Sequence, residues 1–223
     1  MRIVSIRGHT FLAGPLGPES VVADLGAHKG EFSREVHQRF GCHCHMVEAL
    51  PDLFAGLPET ETLHKHHLAM AGRDGPVELF VSANPEANSI TRTVAGSQAA
   101  VTVESATLAT LMSHAGLAHI DLLKVDIEGA EIALFESAGA DMLAKIAQIS
   151  VEFHDFVPGM LGPNEVNSVM DKLEESGFYK IKFSRKLNTD VLFINRRLIP
   201  VGPLAYRYMK YVAKYLRGVL RRL

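Results

Sequence analysis

The segment Asp121-Leu122-Leu123-Lys124-Val125-Asp126-Ile127-Glu128-Gly129-Ala130-Glu131 is where the chain concentrates chemistry: an apolar run breaks into three acids within six residues, Asp126, Glu128 and Glu131. Three carboxylates this close cannot all be buried without partners. They are expected to ring a polar cleft at the end of a strand, with Gly129 permitting a tight turn into the next helix. Further on, Val151-Glu152-Phe153-His154-Asp155 closes another apolar segment. Alternation sets Glu152 and His154 on one face, and a histidine at a strand end can serve as a general base. A third group, Asp24-Leu25-Gly26-Ala27-His28-Lys29-Gly30, joins an acid to glycines spaced G-x-x-x-G. Glycine lets backbone approach a ligand closely. The dinucleotide fingerprint is G-x-G-x-x-G, and His28 stands where its middle glycine would be, which disfavours a pyrophosphate clamp. An acid ahead of the glycines suits instead a cofactor that brings cationic groups, such as the amino group and sulfonium of S-adenosylmethionine. Glu48 follows Gly26 by 22 residues; an acid about 20 residues on can accept both ribose hydroxyls of a nucleoside.

These groups need strand ends to hold them. Val21 to Leu25 reads as a buried strand, Gly30 to Phe40 as a helix stopped by Gly41, and Cys42 to Val47 as a second strand ending at Glu48. Leu63 to Leu68 and Val77 to Val81 are further β segments. Leu108, Leu111, Met112 and Ala115 keep helical spacing before Gly116. Ile120 to Val125 is a strand, a helix carries Ile132, Leu134 and Phe135, and Ile149 to Phe153 is the next strand. Asn164 is expected to cap a helix whose apolar face is Val166, Val169, Met170 and Leu173. Phe178 to Phe183 and Val191 to Asn195 close the pattern as a hairpin around Leu187-Asn188-Thr189. Strands alternating with helices predict an α/β, doubly wound, mostly parallel sheet, with the hairpin adding an antiparallel strand at one edge. Ligands of such sheets bind at the carboxyl ends of the strands, where Asp24, Glu48, Asp126 and His154 fall.

A net charge of −2 over 223 residues argues against a nucleic-acid partner. Cys42 and Cys44 share one side of a strand and are poorly spaced for a disulfide. With no signal-peptide pattern, a reducing, cytoplasmic setting is expected. No metal is expected. Cys42-His43-Cys44-His45 lacks the spacing of zinc ligands, and His64-Lys65-His66-His67 reads as a solvated or strand-edge cluster. The acids Asp126, Glu128 and Glu131 could hold Mg²⁺ against a substrate diol, but the chemistry read so far does not require it.

Taken together, Val22 to Gly30, Val47-Glu48-Ala49-Leu50-Pro51, Asp121 to Glu131, and Gly75 to Ser82 with Asn88-Ser89 resemble the motifs of the FkbM family of methyltransferases. The resemblance extends over roughly residues 20–195, with His28 and Ala49 departing from the commoner pattern. It implies a Rossmann-like, seven-stranded methyltransferase sheet, S-adenosylmethionine as cofactor, and transfer to a hydroxyl oxygen of a carbohydrate or related small molecule. Asp24, Gly26, Ala27, Gly30, Glu48 and Asp126 are then expected at the cofactor. His154 and Asp126 are the candidate catalytic bases, and Glu128 and Glu131 are expected to face the acceptor. Segments Asn84 to Gln98 and Phe156 to Pro163 are expected to shape the acceptor site. The rival functions are methylation of nitrogen or carboxyl groups, and non-catalytic binding of the cofactor.

The tail breaks the charge pattern. From Leu204 to Leu223 there are six basic residues and no acid, leaving 17 basic against 25 acidic residues in the first 203. The methyltransferase domain is therefore expected to span 1–203, with 204–223 a basic amphipathic helix after Gly202-Pro203. Its apolar face can meet an anionic membrane surface or pack on the domain or a second subunit.

Overall fold

The computed structural model describes residues 2–82, 97–157, 160–184 and 187–213. It opens with a hairpin of β1 (Ile3–Ile6) and β2 (His9–Leu12), joined at Arg7 and Gly8, both with positive φ. The central sheet then builds from β3 (Val21–Leu25), β4 (His43–Glu48) and β5 (Leu63–His67), with α1 (Glu31–Phe40) and the short α2 (Pro51–Ala55) between them. A small side sheet holds β6 (Ala69–Met70), β7 (Gly75–Ser82) and β8 (Ser97–Ala106). After α3 (Leu108–His114) the chain returns through β9 (Leu122–Val125), α4 (Glu131–Ser137), α5 (Ala140–Leu143) and β10 (Gln148–Val151). It ends with α6 (Pro163–Glu175), β11 (Phe178–Lys182), β12 (Val191–Asn195) and α7 (Pro203–Tyr208), followed by a wider turn over Met209–Ala213.

The seven strands lie in the order β11-β12-β10-β9-β3-β4-β5. Strands β5, β4, β3, β9 and β10 are parallel, and β12 runs antiparallel to both β10 and β11. The expected doubly wound sheet with its antiparallel edge hairpin is thus present. The chain moves outward from β3 in one direction and restarts beside it at β9, so the topological switch lies between β3 and β9, where such sheets bind ligands.

Alternation along the strands feeds two cores. Ala23, Leu25, Leu123 and Val125 point into one with Leu111, Phe135 and Val166 from the helices. Val22 and Leu122 point into the other, with Phe32 and Val36 of α1 and Phe11 and Leu12 of β2. Leu12 accounts for its own backbone polar groups there: its N–H donates to Gln148 Oε1 (2.8 Å) and its carbonyl accepts from Gln148 Nε2 (3.0 Å). The hairpin is thereby fixed across β10 and brings His9 to the sheet's centre.

Several elements differ from expectation. The β1–β2 hairpin and strand β8 were not foreseen. Helix α6 is capped at Gly162, not Asn164; Pro163 takes the first helical position, and Glu165 reaches back to accept from the Gly162 N–H (2.7 Å). The first part of the tail, Pro203 to Met209, lies against β11. Tyr206 stacks on Tyr179 with ring centroids 4.1 Å apart, its hydroxyl donates to the Lys180 carbonyl, and Met209 is buried. The rest of the expected tail helix, 214–223, lies outside the described residues, as do 84–96 of one acceptor loop and 158–159 of the other.

Cys42 and Cys44 are buried free thiols, as their spacing suggested. The histidines of β4 and β5 do more than line an edge. His45 stacks on His64 (4.7 Å) and His66 (5.3 Å), and its Nδ1 lies 3.1 Å from His66 Nε2.

Candidate functional site

At the end of β3 the backbone turns at Gly26 with φ 75°. The amides of Gly26 and Ala27 both donate to the Val47 carbonyl, pinning this loop to the end of β4. A side chain at Gly26 is excluded twice: the φ disfavours it, and a Cβ would sit 1.8 Å from the Asp126 carbonyl oxygen. Gly30, with φ 69°, packs against Leu57 and Met46. His28 holds a left-handed φ of 51° without being glycine, a strain of the kind found at ligand sites. Its N–H donates to Glu48 Oε2 (2.7 Å), while the Leu50 N–H donates to Oε1 (2.9 Å). Burial raises the Glu48 pKa, against these two donors.

Lys124 sits in an otherwise apolar strand and is buried. Its Nζ lies 3.1 Å from Asp24 Oδ1 and 3.5 Å from Asp126 Oδ2, and donates to the carbonyls of Leu25 and Gly26. Burial works against its charge, but the two aspartates outweigh it and raise the Lys124 pKa. Asp24 is wholly buried, and its Oδ2 accepts from Ser33 (2.7 Å). Both its oxygens therefore have partners within the protein. For Asp126, burial favours the neutral acid, yet Lys124, His9 and His154 hold the carboxyl well below the usual carboxylate range.

His154 is 3% exposed. Its Nδ1 lies 2.8 Å from Glu131 Oε1, and its Nε2 lies 3.2 Å from Glu128 Oε2 and 3.6 Å from Asp126 Oδ1. Glu131 is 0% exposed and also accepts from the Ile127 and Gly129 amides, so it fastens the turn that carries Glu128. Burial lowers the His154 pKa, but the hydrogen bond and charge of Glu131, with Glu128 and Asp126, carry it up to about 9. Glu128 is half-buried and held at φ 49°. Burial, reinforced by Asp126, Glu131 and Glu152 against His154, lifts its pKa to about 7. Glu152 is raised too, by burial and then by Asp126.

The structure thus gathers Gly26, Ala27, Glu48, Asp126, Glu128 and His154 at the ends of β3, β4, β9 and β10, and sets Asp24 and Glu131 beneath them as buried anchors. Sequence reasoning missed His9, whose Nε2 lies 3.5 Å from Asp126 Oδ2, and the role of Lys124. Lys124 carried a readable signal: a lysine within a buried strand demands partners. The donor set fits a cationic nucleoside cofactor. Glu48 keeps acceptor capacity beyond its two amides, and the cleft's acids complement positive charge while repelling phosphate.

The sequence matches the profile of the methyltransferase FkbM domain over residues 24–179. No curated protein matches the chain. Among solved structures it is similar to methyltransferase FkbM from Methylobacillus flagellatus KT, with 12% identity and a TM-score of 0.49 over 80% of this chain; it spans 44% of that protein. It is similar to precorrin-6y C5,15-methyltransferase from Geobacter metallireducens GS-15, with 10% identity, a TM-score of 0.43 and 80% of both chains covered. It is also similar to TrmK of M. capricolum in complex with S-adenosylhomocysteine, with 8% identity, a TM-score of 0.41, and 93% of this chain and 80% of that one covered.

Proposed function

The chain belongs to the FkbM methyltransferase family, and on that premise we propose that it methylates a hydroxyl oxygen of a carbohydrate or related small molecule, using S-adenosylmethionine. When bound, that cofactor supplies an electrophilic methyl group on a positively charged sulfur. In this reading Glu48 holds its ribose and the Gly26–Gly30 loop lines it, while Asp24, engaged with Lys124 and Ser33, acts through them.

One observation carries the choice of a hydroxyl. Glu128, with a pKa lifted to about 7, opens to the cleft and faces His154 Nε2 at 3.2 Å. An alcohol must lose a proton as its oxygen attacks carbon, and a base works best when its pKa lies near the working pH. Glu128 meets that requirement. Asp126, held strongly acidic, does not, and serves to orient His9 and His154. His154 is positively charged at neutral pH, and we assign it to positioning Glu128 and sharing the proton with it, so the two titrate as a pair. Glu128→Gln is expected to lower turnover by roughly 10²–10⁴-fold with S-adenosylhomocysteine affinity unchanged. Full turnover in that variant would point to a nitrogen or carboxyl acceptor, and binding without turnover on any acceptor to a non-catalytic role.

We further propose a cytoplasmic enzyme, in keeping with two buried free thiols, that rests on anionic membrane through its tail. Leu204, Tyr208, Tyr211 and Val212 are exposed, as is Arg207, while Met209 is buried. Among the described residues no helix is long and apolar enough to cross a membrane.

A further inference from the structure

We propose that His9, Asp126 and Glu152 form a divalent-cation site in the floor of the cleft. The inference rests on reading this cleft as the acceptor site. One ligand atom from each residue lies within 4.8 Å of the others. The three arrive from separate elements: His9 from β2, Asp126 from the end of β9 and Glu152 from the end of β10.

The site is built rather than incidental. His9 is 2% exposed, its Nδ1 sits 3.4 Å from Ser150 Oγ, and its ring meets Phe32 edge-on at 5.7 Å. Ser150 and Phe32 thus fix the ring so that Nε2 points at Asp126, the role that outer partners play for metal-binding histidines. Charge supplies an independent argument. Asp126, Glu128 and Glu152, partly open to the cleft, crowd the wholly buried Asp24 and Glu131, while Lys124 and His154 bring two positive charges. Lys124 is already shared with Asp24 and two carbonyls. Carboxylates this close repel one another, and a divalent cation held among them relieves that repulsion. One imidazole with two carboxylates suits Mn²⁺ better than Mg²⁺, which favours an all-oxygen shell. Three protein donors leave positions open for oxygens of a hydroxylated acceptor, whose proton a nearby cation makes easier to remove. In the sequence, the candidates for a metal are the Cys42–His45 run, the His64–His67 cluster and the acids Asp126, Glu128 and Glu131; His9, brought in by the β1–β2 hairpin, changes the donor set.

The test uses Mn²⁺ alone, titrated into the full chain and followed by electron paramagnetic resonance, with calorimetry of S-adenosylhomocysteine on the same sample. One Mn²⁺ per chain is expected, with affinity falling at least tenfold in His9→Asn and in Glu152→Gln. Circular dichroism identifies variants that fail to fold, and Glu152→Gln, at a half-buried position, carries the test if His9→Asn does. Glu128→Gln, outside the set, should keep Mn²⁺ bound. Absence of Mn²⁺ binding, or equal binding in Glu152→Gln and the wild type, overturns the site. Loss of S-adenosylhomocysteine binding with Mn²⁺ retained would overturn the cofactor reading instead.

Discussion

Replacing Glu131 with Gln removes one negative charge from a fully buried position while keeping its shape. Its Oε1 faces His154 Nδ1 at 2.8 Å and takes the Ile127 and Gly129 amides at 3.3 and 3.2 Å. A glutamine oxygen can keep all three contacts, while its amide takes the place of Oε2, which has no hydrogen-bond partner among the described residues, so the change acts chiefly on charge. A hydrogen bond to a charged group contributes about 1.5–3 kcal/mol and a neutral one about 0.5–1.5. The difference, roughly 1–1.5 kcal/mol, corresponds at about 1.4 kcal/mol per pKa unit to a fall of about one unit. His154 should therefore drop from about 9 toward 8, with Glu128 and Asp126 keeping it above an ordinary histidine. The sign for stability follows. His154 is raised in the folded state, so its contribution is complete below the unfolded pKa of about 6.5 and is lost as pH rises through about 9 in the wild type. In the variant that loss is complete about one unit lower. Titration of ¹³C-labelled histidine by NMR, paired with urea unfolding at pH 6 and pH 9, measures both effects. A His154 pKa that moves by less than about 0.3 units, or that starts below 7 in the wild type, would refute the role given to Glu131.

Glu48→Ala should weaken S-adenosylhomocysteine binding by roughly 1–3 kcal/mol, the cost of stranding polar groups, measured by calorimetry, with NAD giving no heat in either protein. Burial and the neighbouring His64, His66 and His43 hold His45 down to about 4, so its neutral form stabilises the fold above pH 6.5 and that stability is lost as pH falls toward 4. His45→Phe should therefore remove about 2–3 kcal/mol of the stability lost between pH 7 and about pH 4.5, read from urea melts. Leu204→Asp with Tyr208→Asp, both exposed, should abolish salt-sensitive flotation with anionic vesicles; unchanged flotation would leave the tail as a packing element only.

The parts of the site legible in sequence were those that obey a local rule. Gly26 and Glu48 announce themselves because a close backbone approach and a ribose-reading acid each demand a residue type at a set distance. Asp126, Glu128 and His154 sit where apolar strands end, so their meeting followed from sheet topology alone. His9 did not, because its position depends on a hairpin whose turn uses Arg7 at φ 48°, a conformation that few residues other than glycine adopt. Strand β8 was missed for a related reason: its opening run Ser97-Gln98-Ala99-Ala100 has weak β preference, and pairing with β7 carries the strand through it. The burial of Asp24 and Glu131 could not be read from sequence either. Lys124 and Ser33 engage Asp24, and His154 and two amides engage Glu131 Oε1, partners that only the folded chain brings together.

The central claim is methyl transfer to a hydroxyl oxygen, and its most direct test follows the methyl group itself. Cell extract incubated with the purified protein and trideuteromethyl-labelled S-adenosylmethionine, then analysed by mass spectrometry, should yield a labelled product. That label should survive mild alkali and map to an ether oxygen, and it should be absent when Glu128→Gln replaces the wild type. A label released by alkali as from an ester, or one carried on nitrogen, would contradict the account.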